Sequence, residues 1–178
     1  MFSKLFGRRK KWGEKAHDLY EALVAQARSE TFYLSGGVAD TIDGRFDLVV
    51  LHAFLVMRRL SGQGEAAAEL SQALFDLMFD DFDQSLREMG VSDMGISPKI
   101  KKMAKAFYGR VSAYDGSFAD RDALAAALGR NLYRGNPPAP PVMAAMVDYV
   151  WSQGEFLAGQ SLDDLMKGRV RFAAPQLP

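Results

Sequence analysis

The chain has 178 residues, 48% of them hydrophobic and 25% charged, with 22 basic side chains, 22 acidic ones and no cysteine. This composition excludes a wholly disordered chain and suits one domain large enough to bury its own core. The absence of cysteine excludes disulfides, thiolate metal sites and cysteine nucleophiles, and zero net charge gives no bulk attraction to a polyanion such as DNA.

No apolar run approaches the ~18 residues of a membrane span. The longest candidate, Leu48 to Met57, is too short and contains His52. The start of the chain lacks a secretory pattern, because Arg8, Arg9, Lys10 and Lys11 follow only a short apolar stretch. A soluble cytoplasmic protein is the expectation.

In chain order, residues 1–13 read as a basic and aromatic segment. Helical spacing begins at Glu14 and runs to Arg28 through Leu19, Leu23 and Val24, until Ser35-Gly36-Gly37 breaks it. Asp40 to Gly44 reads as a turn. Leu48 to Leu60 is apolar almost all round and is expected as a buried helix, because thirteen residues without a breaker are long for a strand. Glu65 to Met89 is the longest helical pattern, with Gly90 as its cap. Ser97-Pro98 is expected to open the next helix, with the serine as cap and the proline at the first helical position.

Asp120 to Tyr133 is a further Ala- and Leu-rich helix. Asn136 to Pro141 is expected as a stiff linker, Val142 to Leu157 as another helix, and Ser161 to Lys167 as a short one with Ser161 and Asp164 in a capping arrangement. Residues 168–178 read as an extended tail. The predicted fold is all-α: a single bundle of about six helices over residues 14–167, preceded by the basic segment.

Three groups of residues invite a chemical reading. Asp76, Asp80 and Asp83 share one helix face with Arg87, and Asp81 lies beside them. Such clusters hold Mg²⁺ and a diphosphate in some helical enzymes, but that chemistry uses two facing clusters and this chain has one. A solvated face with an Asp83–Arg87 pair is the simpler expectation. His52 sits alone in the most apolar segment, has no serine elbow to serve, and is expected as a hydrogen-bonded core residue within reach of Asp47. Cations and aromatics interleave near the start in Phe2, Phe6, Arg8, Arg9, Lys10, Lys11 and Trp12, which suits an anionic membrane surface or ribosomal RNA. Lys99, Lys101, Lys102 and Lys105 form a second basic group.

Asp43-Gly44-Arg45-Phe46-Asp47, then Leu51-His52, Phe54-Leu55 and Arg58-Arg59-Leu60, resemble the ubiquinol–cytochrome c chaperone family. So do Leu74 to Phe79 with Asp81 and Asp83, Leu86-Arg87-Glu88-Met89-Gly90-Val91, and Lys102-Met103 with Ala106-Phe107-Tyr108-Gly109-Arg110. The likeness runs from about Leu19 to about Tyr133 and looks like an alphaproteobacterial form of the family. It implies a non-enzymatic role in assembling the cytochrome bc1 complex, respiratory complex III, by binding newly made cytochrome b or another assembly intermediate at the cytoplasmic face of the inner membrane. Mitochondrial members act near the ribosome. No catalytic residue, metal or cofactor is implied.

On this reading Arg45, Arg58, Arg59, Lys99, Lys101, Lys102, Lys105, Tyr108 and Arg110 are the candidate client contacts, and Phe2 to Trp12 the candidate membrane or ribosome contact. The alternatives are a peripheral membrane module and a Mg-dependent prenyl-diphosphate or quinone enzyme using Asp76 to Asp83.

Overall fold

The computed structural model describes the backbone of residues 2–178 and the side chains of residues 11–178. The most apolar segment, α3 (Ile42–Leu60), lies at its centre. Thr41 caps α3 by accepting a hydrogen bond from the Gly44 amide at 3.1 Å, and Arg58 and Arg59 sit in the last turn, where cations complement the helix dipole. Every residue from Phe46 to Val56 is buried, so neighbours cover this helix on all sides. Each fully buried Leu or Phe there adds about 1.5–3 kcal/mol of transfer free energy.

The other elements are α1 (Phe2–Ala27), α2 (Thr31–Leu34), α4 (Glu65–Glu88), α5 (Asp93–Ser117), α6 (Arg121–Asn131), α7 (Pro140–Ala158) and α8 (Leu162–Met166). Helices α1 and α4 run parallel. Lys11 Nζ meets Glu69 at 2.8 Å near one end, and the Tyr20 hydroxyl donates to Asp81 at 2.7 Å further along. Short connections make α3, α4 and α5 successive antiparallel neighbours, sealed by ring contacts Phe46–Phe82, Phe75–Phe107 and Phe79–Phe107. The piece after the prolines packs back on the bundle, burying Met146, Val150 and Leu157 of α7.

Six long helices stand where the periodicity predicts them, but several boundaries move. α1 begins at Phe2 rather than Glu14, so the basic segment is continuous with the first helix. Trp12 is 6% exposed and its Nε1 donates to Glu69 at 3.0 Å, which removes it from the candidate membrane contacts. α3 takes in the expected turn at Asp43-Gly44. α5 starts at Asp93, and Pro98 lies inside it on an exposed face. Pro140 and Pro141 form the first turn of α7, where a missing N–H costs nothing, so the linker is shorter than expected. Asp164 does not cap α8 but pairs with Arg169. α2 is an addition that the sequence pattern did not signal.

After a turn at Lys167 and Gly168, residues 169–178 form no regular element but are not loose. Gln153 accepts from the Ala173 amide and donates to its carbonyl, both at 3.1 Å, and Gln26 of α1 donates to the same carbonyl at 2.8 Å. The tail straps α1 to α7.

Candidate functional site

The α4–α5 hairpin meets α1 and α3 at the end of the bundle where α1 and α4 finish and α3 and α5 begin. Between them lies an open groove of about 1280 Å³. Val24, Phe46, Val49, Phe82, Leu86 and Met103 give it an apolar floor, and Ile42 and Met89 stand exposed at its edge. Arg28, Arg45, Lys99, Lys102, Arg110 and Arg134 supply cations around that floor, interspersed with Glu30, Asp40, Asp43 and Asp81.

The base of one wall is an ionic cluster. Asp47 is wholly buried, because it lies on the inward face of α3. Arg134 Nε donates to Asp47 Oδ2 at 2.6 Å, and Arg134 Nη1 reaches Asp43 at 2.9 Å. Arg110 Nε is 2.9 Å from Asp47 Oδ1, an ion-pair distance without hydrogen-bond alignment, so neither of these two buried atoms has a directed bond. Burial pushes the Asp47 carboxyl above its ordinary range, against the pull of the two guanidiniums. Arg134 holds a left-handed backbone at φ 51°, followed by Gly135 at φ 83°. That conformation costs about 1–2 kcal/mol for a residue with a Cβ, and here it turns the side chain back onto α3.

Gly44 belongs to the same corner. A Cβ on it would lie 2.0 Å from the Ala39 carbonyl oxygen, so only glycine allows the chain entering α3 to pass so close. Arg45, in the same motif, pairs with Asp40 at 2.7 Å, and the double arginine clasp on Asp47 comes from Arg110 and Arg134.

The candidate client contacts therefore separate. Arg45, Lys99, Lys102 and Arg110 come together on the groove, although Arg110 is committed to Asp47 and its side chain is only 13% exposed. Lys101 and Lys105 are exposed outside it. Tyr108 is 57% exposed and stacks on Phe75, with centroids 5.4 Å apart. Arg58 and Arg59 lie away from the groove and are bundle fasteners. Arg58 pairs with Asp115 and covers the Phe118 ring, while Arg59 donates to the carbonyls of Leu157 and Gln160 at 3.0 and 2.9 Å. Arg28, Ile42 and Arg134 join the groove without any signal in the motifs, since each acquires its place from packing between distant segments. The side chains of Phe2, Phe6, Arg8, Arg9 and Lys10 lie outside the described residues.

The aspartate run does not converge on a metal. Asp76 accepts from Gln72, Asp81 from the Tyr20 hydroxyl, and Asp83 from Arg87, which also binds Asp93 at 2.6 Å. Among the described residues no three His, Cys, Asp or Glu side chains form a metal-binding group. Likewise, no helix among them is long and apolar enough to cross a membrane.

His52 is a satisfied core residue. It faces the Leu48 carbonyl through Nδ1 and the Tyr149 hydroxyl through Nε2, each at 2.8 Å, rather than Asp47. Burial pushes its pKa down to about 4, which keeps the ring neutral. With Nδ1 donating to the carbonyl, Nε2 accepts from Tyr149, and Gln26 donates to the same hydroxyl oxygen at 2.8 Å. Among the described residues its ring nitrogens meet only that carbonyl and that hydroxyl.

Comparison with known proteins agrees with this architecture. The crystal structure of the Cbp3 homolog from Brucella abortus superimposes with a TM-score of 0.83 at 36% identity, covering all of both chains. A ubiquinol-cytochrome-c reductase complex assembly factor 1 from Xenopus laevis is 28% identical over 88% of this chain and 80% of its own length. The corresponding mouse protein is 28% identical over 91% of this chain, which spans only 56% of that longer relative. The ubiquinol-cytochrome C chaperone model matches residues 35–172, which takes in α3, α4, α5, α6, α7 and α8 and with them most of the groove, and the chain belongs to that family.

Proposed function

We propose that this protein is an assembly chaperone for ubiquinol–cytochrome c reductase, respiratory complex III, and that it acts by holding a client rather than by catalysis. The client proposed is newly made cytochrome b, or an early intermediate containing it, met at the cytoplasmic face of the inner membrane as it leaves the ribosome. The observation that carries this reading is the groove, in which an apolar floor meets a cationic rim. An unassembled membrane helix offers apolar surface flanked by polar ends, and a groove of this kind covers the first while contacting the second. Methionine adds an adaptable apolar contact at the edge, with Met89, and in the floor, with Met103. Family membership and the assembly-factor relatives support the same conclusion.

The test is a crosslinked pull-down of the tagged protein from its own host, read by mass spectrometry. Cytochrome b is expected in the eluate of the native protein, with at least a tenfold reduction for the paired variant Val24→Asp and Met103→Asp. Both residues are only partly buried, so the variant is checked for native helicity before use. Absence of every complex III subunit from the native eluate overturns the reading.

A further inference from the structure

The exposed apolar side chains are not scattered evenly. Of the six large ones among the described residues, four lie on the end of the bundle that carries the groove mouth. Leu34 is 81% exposed, Ile42 67%, Met89 49% and Met94 90%. Leu34 belongs to the connection between α1 and α3, Ile42 to the first turn of α3, and Met89 and Met94 to the α4–α5 tip. The parallel run of α1 with α4 places all these connections at one pole. At the opposite pole the Ser61 to Gly64 turn carries no large apolar side chain, and among the described residues Phe156, 41% exposed, lies nearest to it, in the last turn of α7.

The charge along α5 at this pole is also one-sided. From Met94 to Tyr114 the sequence of α5 contains Lys99, Lys101, Lys102, Lys105 and Arg110 and no acid. The four lysines have no ion-pair partner among the described residues, nor has Arg28. The nearby acids are largely spent: Arg87 holds both Asp83 and Asp93, Arg45 holds Asp40, and Arg134 holds Asp43. Beyond Asp81 in the groove wall, Glu30 and Glu88 are the carboxylates left there without a basic partner.

We propose that this pole docks on an anionic phospholipid surface, with Leu34, Ile42, Met89 and Met94 entering the interface and the α5 lysines meeting the head groups. Single apolar side chains projecting from separate connections suit insertion among lipid chains, whereas a protein interface is built around a contiguous packed core. Each lysine near an anionic surface strengthens attachment by roughly fivefold. The groove mouth then opens toward the bilayer. This inference goes beyond the chaperone reading and does not depend on which client the groove holds.

The chain has no cysteine, so a single introduced one is a clean reporter. Met94→Cys, Leu34→Cys and, at the opposite pole, Gln63→Cys are labelled with a nitrobenzoxadiazole fluorophore. They are titrated without client into vesicles of phosphatidylcholine containing phosphatidylglycerol, and into phosphatidylcholine alone. The expected result is a blue shift and brightening at positions 94 and 34 with the anionic vesicles only, and none at 63. The combined change Lys99→Glu, Lys101→Glu, Lys102→Glu and Lys105→Glu, all exposed, is expected to weaken vesicle binding at least tenfold while the thermal midpoint stays put. No vesicle binding, or a shift confined to position 63, overturns the proposal. The pull-down above judges the client separately.

Discussion

Asp47 and His52 stand five residues apart on the same buried helix, yet their surroundings are opposite in kind. His52 faces the closed side, among Phe32, Tyr149 and Phe172, where a carbonyl and a hydroxyl satisfy both ring nitrogens and the tail seals the layer. Asp47 faces the side where the groove opens, held by two arginines that line it, one of them with imperfect alignment. The comparison separates two uses of buried polarity. The neutral network fixes the fold and excludes water. The ionic cluster fixes the geometry of two cations next to a surface that must stay open.

The contrast is most sharply tested by cutting the acid out. Asp47→Ala leaves Arg110 and Arg134 without their shared counter-ion, and unfolding by urea is expected to show a loss of about 3–5 kcal/mol. A loss below about 1 kcal/mol would mean that the clasp is replaceable by water. The histidine side has a pH signature instead. The folded pKa of about 4 lies below the ordinary value of 6.5, so between these limits the unfolded chain binds the extra proton. Stability is therefore present in full above pH 6.5 and falls as pH drops toward 4, by on the order of 3 kcal/mol. His52→Gln is expected to flatten that part of the pH dependence, read from urea midpoints across the range. The smallest effect belongs to the groove edge. Ile42→Asp places a carboxylate in the first turn of α3 at a position 67% exposed, and stability is expected to stay within about 0.5 kcal/mol of the parent. A larger loss in thermal unfolding would show that Ile42 is packed rather than presented.

The helices were legible because burial leaves a periodic trace. Leu19, Leu23 and Ala27 continue backwards through Ala16 to Trp12, and all five are buried, so the stripe extended past the boundary drawn at Glu14. The cations around Trp12 masked that continuity. Ser97-Pro98 misled for a different reason: the pair has the chemistry of a helix start, but an exposed proline within the early turns of α5 is tolerated by this fold. In the site, Asp43 to Asp47 and the α5 lysines were visible as motifs. Arg134 was not, since its partner is 87 residues away and its role depends on a backbone turn that no local pattern announces. Arg58 and Arg59 looked like surface charge because sequence does not reveal which carbonyls a helix end will meet.

The strap at Ala173 joins residues 147 positions apart, from the first helix to the last few residues of the chain. Gln26 and Gln153 thus receive their partner only after residue 173 has been made. A contact of such long sequence separation is slow to form and is unavailable to the growing polypeptide. While the ribosome still holds the segment around Phe172 and Ala173, the layer around His52 and Tyr149 lacks its closing strap. A protein proposed to shelter an unfinished partner must pass through its own interval of incomplete closure, and that interval ends when Ala173 reaches Gln26 and Gln153.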